Sequence, residues 1–156
     1  PQVQLQATYA GSAGKVWASA KSQSFEGAPG FTMKGLEVGG SISVGPVGVM
    51  ANLQSGTGLG VLADGDNGDQ KQTAALVQAT VQATPKLKLG LSFGTTRLKD
   101  AVGDALKSNT NATLGGYYSL TKSVTLVGEL SQTQSKSEAG AKAKMGGVSL
   151  GGILFF

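Results

Sequence analysis

The sequence predicts an all-β fold: an antiparallel transmembrane β-barrel, with about nine strands in this chain, forming part of a larger barrel. Three observations predict it. Apolar and polar residues alternate with period two through most of the chain, as in strands whose two faces meet different surroundings. Several of these runs reach about ten residues, the length a tilted strand needs to cross the hydrocarbon layer, against a usual globular strand of ~5–6. The connections alternate between short turns and long polar loops, so short turns gather at one end and long loops at the other, the plan of a membrane-spanning barrel.

Residues 2–10 open with strict alternation: Val3, Leu5, Ala7 and Tyr9 on one face, Gln2, Gln4, Gln6 and Thr8 on the other. A Gly-Ser-Ala-Gly turn at 11–14 leads to a strand over 15–24, with Val16, Ala18 and Ala20 opposite Lys15, Trp17, Ser19 and Lys21. Gly and Pro break the pattern at 25–33. The third strand, 35–44, sets Leu36, Val38, Ile42 and Val44 against Glu37, Gly39, Ser41 and Ser43. Gly45-Pro46 turns the chain into a fourth strand carrying Val47, Val49, Ala51 and Leu53. A Gly- and Asp-rich loop fills 55–70, and a fifth strand runs over 71–84. After Pro85 the sixth strand alternates most clearly, Leu87, Leu89, Leu91 and Phe93 against Lys86, Lys88, Gly90 and Ser92. Residues 98–109 read as a charged loop, 111–120 as the seventh strand, and 124–134 as the eighth. A polar loop over 135–144 precedes the ninth strand. There, counting back in twos from Phe156 gives Leu154, Gly152, Leu150, Val148 and Gly146, an apolar or bare face. Two terminal phenylalanines suit a membrane interface, where barrels carry aromatic girdles.

Alternation by itself does not separate this barrel from a soluble sandwich, which buries its apolar faces in a dry core. The polar face of Gly, Ser, Thr and Gln suits a wetted wall. The apolar face, rich in Ala, Val and Gly, would fill a sandwich core poorly. The chain's end on an aromatic strand adds a third reason. The many glycines and serines of the polar face would also leave the narrow interior of an eight-stranded barrel poorly filled, which favours a wider pore.

Composition narrows the function. The chain has 156 residues, one domain's worth, with no cysteine and no histidine. Disulfides, Cys-based metal sites, the commonest general base and the commonest metal ligand are therefore missing together, and no enzyme, cofactor or metal centre is expected. Mean hydropathy is +0.02, and no run approaches the ~18–20 apolar residues of a membrane helix. The net charge of +4 is modest, with scattered lysines and few aromatics, so no nucleic-acid partner is expected. No basic-then-apolar leader precedes Pro1, which leaves a leader already removed or numbering that starts inside a longer chain. Ala63-Asp-Gly-Asp-Asn-Gly-Asp69 has the oxygen spacing of a calcium loop but lacks the closing Glu, so Asp64, Asp66 and Asp69 read as a solvated turn.

Three stretches carry a family resemblance: Ala10-Gly-Ser-Ala-Gly-Lys-Val-Trp-Ala-Ser, Gly35-Leu-Glu-Val-Gly-Gly-Ser, and Gly115-Gly-Tyr-Tyr-Ser-Leu-Thr-Lys-Ser-Val-Thr-Leu. They resemble the closing strands of Gram-negative general porins, nearest the β-proteobacterial type. That type has Tyr-x-Leu-Ser-Lys-Arg-Thr-x-Leu before its last hairpin; this chain has Tyr118-Ser-Leu-Thr-Lys-Ser-Val-Thr-Leu126, without the Arg. Gly151, Leu154 and Phe156 resemble the C-terminal signal read by the barrel-assembly machinery. The resemblance implies an outer-membrane location, contact with outer-membrane lipid, a homotrimer, and a water-filled channel for passive diffusion of small hydrophilic solutes. It further implies the C-terminal half of a sixteen-stranded barrel. Three completions follow: a piece of a longer chain, a half-barrel closed by another chain, or a compact eight-stranded barrel with residues 1–10 set apart. The second functional reading is a structural or adhesive surface barrel without a conducting lumen.

In a pore, Lys15, Lys21, Lys86, Lys88, Glu37 and Glu129 line the wall, because alternation puts them on the polar face. Fixed charges in a confined aqueous channel concentrate counter-ions, and four cations against two anions favour anions slightly. Lys86 and Lys88 follow the Pro85 turn and belong near the mouth; Lys21 and Glu129 belong nearer mid-barrel. Trp17 has no assigned role. Glu37 and Glu129 lie on strands that nothing in the sequence brings together, so they form no catalytic pair.

Overall fold

The computed structural model describes residues 1–27, 30–61, 63–99, 101 and 105–156. Nine antiparallel strands follow one another in a single sheet. They are β1 (Gln2–Ala10), β2 (Gly14–Phe25), β3 (Phe31–Val44), β4 (Val47–Thr57), β5 (Lys71–Gln82), β6 (Leu87–Leu98), β7 (Leu106–Ser119), β8 (Val124–Ser137) and β9 (Lys142–Leu154). The order in space is the order in sequence, a meander in which each strand pairs with its chain neighbours.

Every apolar face falls in register with the next. Leu5 pairs with Ala20, Ala18 with Val38, Val38 with Leu53, Leu53 with Ala75, Val77 with Phe93, Leu91 with Leu114, Leu114 with Leu130, and Leu130 with Val148. Directly paired residues of an antiparallel ladder share a face, so one side of the sheet is apolar from edge to edge. That side is the open one: Leu150 is 85% exposed, Leu5 72% and Leu36 67%. Along β4 the exposed residues are Val47, Val49, Ala51 and Leu53, whereas Gly48, Met50, Asn52 and Gln54 are half-buried. The curled sheet thus turns its polar side inward and its apolar side out. This inverts a soluble domain and suits a wall between water and lipid.

Several of the nine strands run further toward the long-loop end than hydropathy predicts. β3 begins at Phe31, β4 continues to Thr57, β6 continues to Leu98, and β7 begins at Leu106. The expected polar loop over 135–144 is mostly ladder, with Lys136 paired to Lys142 across residues 138–141. In most of these extensions both faces are polar, so the hydropathy contrast disappears while the backbone hydrogen bonds continue; at the start of β3 the contrast reverses, with Phe31 and Met33 on the concave face. Of the other expected loops, residues 28, 29, 62, 100 and 102–104 lie outside the described residues.

β1 and β9 are the two edges of the sheet. Residues 1–10 supply β1, paired to β2 along its whole length. The compact eight-stranded barrel with residues 1–10 set apart is therefore corrected: the sheet is open and includes them.

Candidate pore wall

Strand register places five of the six predicted wall charges, all but Lys86, on the concave face. Lys15 faces Ser41, Glu37 lies between Ser19 and Gln54, Lys88 faces Tyr117, and Glu129 lies between Gly115 and Ser149. Two similar constellations emerge. In the first, Trp17 Nε1 donates to Glu37 Oε1 at 2.9 Å, and Lys15 Nζ sits 5.7 Å from the Trp17 ring centroid. The indole lies against Gly39, where a Cβ would collide with the ring. In the second, Tyr117 Oη donates to Glu129 Oε1 at 2.7 Å, and Lys88 is paired with Tyr117 across the β6–β7 ladder. Each carboxylate thus accepts a hydrogen bond from an aromatic donor, and each donor neighbours a lysine closer to the short-turn mouth. Trp17, left unassigned above, orients Glu37. The alternation that puts both on the polar face was its only sequence signal.

Glu37 and Glu129 belong to β3 and β8, with four strands between them. At ~4.8 Å per strand they are on the order of 24 Å apart along the sheet, and the structure brings them into no common site.

Among the described residues Lys21 is the one expected wall charge held in an ion pair. It lies on the concave face, but its Nζ contacts Asp64 Oδ1 at 2.7 Å and Oδ2 at 3.0 Å. The long loop between β4 and β5 folds over the concave face to deliver that carboxylate. Leu59 of the loop is 4% exposed and packs against Gly35, and Gly65 meets the Phe25 ring. Phe25 and Phe31 stack at 4.8 Å. With Met33 fully buried beside Gly58, a small apolar cluster forms at the long-loop end of the wall. The reading of 55–70 as Gly- and Asp-rich missed this anchor, and the Leu59-Gly-Val61 stretch was the available signal. The Asp-Gly repeat serves the loop itself. Asp66 accepts from Val61 N–H at 2.8 Å and from Ala63 N–H at 3.2 Å, so its carboxylate closes a turn. Among the described residues no group of three acidic, His or Cys side chains is disposed to hold a metal.

Lys86 lies in the turn before β6, where its carbonyl accepts from Ser119 N–H at 2.8 Å. It belongs to the mouth, below the strand wall. At the other terminus Leu154 pairs with Val124 on the convex face and Gly151 with Val127 on the concave face. Phe156 extends beyond the last strand, fully exposed.

Known proteins agree with this architecture. The outer membrane channel DcaP of Acinetobacter baumannii superposes with a TM-score of 0.80 at 20% identity, over 99% of this chain and 51% of that one. The anion-selective porin from Comamonas acidovorans gives 0.71 at 16% identity, over 98% and 47%. The chain spans about half the length of these solved structures. No curated protein matches it. A sequence profile of Gram-negative porins matches residues 1–138. The inverted sheet, its likeness to outer-membrane channels and that profile lead to one conclusion: the chain belongs to the Gram-negative porin family and resides in the cell outer membrane.

Proposed function

We propose that the chain forms one flank of a water-filled channel through which small hydrophilic solutes and ions diffuse passively. The observation that carries this reading is the inversion of the sheet, with polar residues on the concave side and exposed apolar residues on the convex side. The two open edges and the half-length match to solved relatives support closure by further strands, from the same chain or another. A homotrimer and insertion by an assembly machinery that reads Gly151, Leu154 and Phe156 belong to the same proposal.

The wall charges are layered. Lys15, Lys86 and Lys88 lie toward the short-turn mouth, Glu37 and Glu129 further up the wall, and the Lys21–Asp64 pair nearer the long-loop end. Pairing removes Lys21 from the balance, so the cationic field is concentrated at the mouth. The Comamonas acidovorans relative is described as anion-selective. A weak preference of the same sign, set by the mouth lysines, is the proposal for this chain.

Planar-bilayer recording of the full-length protein tests the channel. Ohmic conductance steps and a reversal potential displaced toward anions in a salt gradient are expected. A silent bilayer holding correctly inserted protein would overturn the proposal in favour of a non-conducting surface barrel.

A further inference from the structure

We propose that the concave wall between β4 and β7 holds a binding station for a neutral polyhydroxylated ring, a mono- or disaccharide, above the lysines of the mouth. The inference rests on that face being the wall of an aqueous channel, and it adds recognition of one solute class to diffusion.

Four side-chain amides frame the station. On β4, Gln54 stands between Glu37 and Ala74, and Asn52, two residues nearer the mouth, stands between Gly39 and Leu76. On β7, Asn109 stands between Thr96 and Ser135, and Asn111 between Gly94 and Thr133. The two amide pairs are three strands apart, about 14 Å at the usual strand spacing. Between them lies a groove of about 390 Å³ lined by all four amides, with Glu37 at one end. Its floor is Ala74, Leu76 and Gly94.

Leu76 is the residue that alternation leaves unexplained. The same side of β5 carries Gln72, Gln78, Thr80 and Gln82, so a leucine there breaks the polar side of the strand. Leu76 is 37% exposed. It leans over Gly94, where an added Cβ would stand 3.5 Å from its Cδ1. An apolar plate between two polar rims fits a molecule divided in the same way. A pyranose ring has a face of C–H bonds and a rim of hydroxyls. On the plate it buries apolar surface, and the amides reach its hydroxyls, since each amide offers donors and an acceptor together.

The polar groups are available for this. The side chains of Asn52 and Gln54 have no hydrogen-bond partner among the described residues. Asn109 uses its Oδ1 for the Ser135 hydroxyl at 3.1 Å, which leaves its NH2 group for a solute. Glu37 accepts from Trp17 through Oε1, which leaves Oε2 for a hydroxyl. Asn111 has a different part. It donates to Thr133 and accepts from Thr113, each at 2.8 Å, and so fixes the rim.

Charge argues against ions as the occupant. Among the described residues Glu37 is the one charged side chain lining the groove. It repels an anion, and a simple cation would leave the leucine and the free NH2 groups unused. Lys15 belongs to the next level toward the mouth, paired with Ser41. The lysines thus act on charge at the mouth, and the amides and leucine act on shape and hydroxyls above it.

The test is single-channel recording of the full-length protein in planar bilayers, with sucrose added to the salt solution. Polyethylene glycol of matched hydrodynamic size, which lacks the hydroxyl rim, and succinate, a small dianion, are the comparison probes. Sucrose should reduce the ion current saturably, whereas the polymer should reduce it only in proportion to its concentration. The double variant Asn52→Ala, Gln54→Ala should raise the sucrose concentration for half-block about tenfold, through two lost hydrogen bonds. Leu76→Ser should raise it about three- to fivefold through lost apolar contact. Lys122→Gln, in the short turn between β7 and β8, should leave it unchanged. Each block is scaled to the variant's own current in salt alone, and heat-modifiable gel mobility establishes folding. If the double variant does not fold, Gln54→Ala alone carries the test, with a shift of about threefold. A loss of current linear in sucrose, or an unshifted half-block in the folded variant, would overturn the station. Stronger saturable block by succinate than by sucrose would give the groove to anions and overturn the solute class. A bilayer silent in salt alone, with the protein inserted, would strike the channel reading itself and the station with it.

Discussion

Lys21 illustrates how far one side chain's surroundings can change its role. By alternation it is a free cation on the wall; in the structure its side chain is 19% exposed and held by Asp64, whose side chain is 31% exposed. A partly exposed pair of this kind contributes about 0.5–1 kcal/mol, enough to bias a loop between docked and open. Asp64→Asn should therefore speed protease cleavage within residues 58–70 about two- to fivefold. Lys21→Gln combined with Asp64→Asn should add nothing further, because both remove one interaction. Additive acceleration would show that the pair does not clamp the loop. The same pairing changes the expected ranking of charges for selectivity. Lys88→Glu should shift the reversal potential toward cations more than Lys21→Gln does, and the shift should shrink as salt shortens the Debye length below ~8 Å. A larger effect from Lys21→Gln would mean that its charge is free in the membrane-embedded protein.

At the scale of the strand, β6 offers the sharpest test of faces. Leu89 is on the convex face, in line with Val81 and Gly116, and Gly90 is on the concave face beside Thr80 and Gly115. Leu89→Arg should cost ~2–4 kcal/mol at the bilayer midplane, measured by reversible folding into lipid vesicles. Gly90→Arg should cost far less, because a Cβ there meets Thr80 and Tyr117 at an ordinary 3.6 Å and the side chain reaches water. Equal losses would mean the two faces are not lipid and lumen. On β9, deletion of Phe156 should slow assembly in cells with little change in equilibrium stability, since the ring packs on nothing in this chain. A matching drop in stability would make Phe156 a packing residue.

The whole sheet has two unpaired edges, β1 and β9. Exposed edges template further pairing, so residues 1–156 expressed alone should self-associate in detergent, as seen by sedimentation, and further strands should suppress this. A monodisperse monomer would mean that the edges are capped in another way. Much of this architecture was legible in the sequence because a strand's side chains alternate with no dependence on tertiary context. From Val3 to Leu154 the period of two identified nine strands and their two faces; the small polar residues of one face and the Ala, Val and Gly of the other pointed to an inside-out sheet. Hydropathy stopped short where both faces were polar, as at residues 135–137, since backbone pairing there leaves no apolar contrast to detect, and at residues 31–34, where Phe31 and Met33 put the apolar side on the concave face under the long loop. What only the tertiary structure decided were contacts between residues distant in sequence. Asp64 reaches Lys21 across 43 positions and Trp17 reaches Glu37 across 20. A sequence specifies which way each side chain points along its own strand; register and loop folding decide which charges meet.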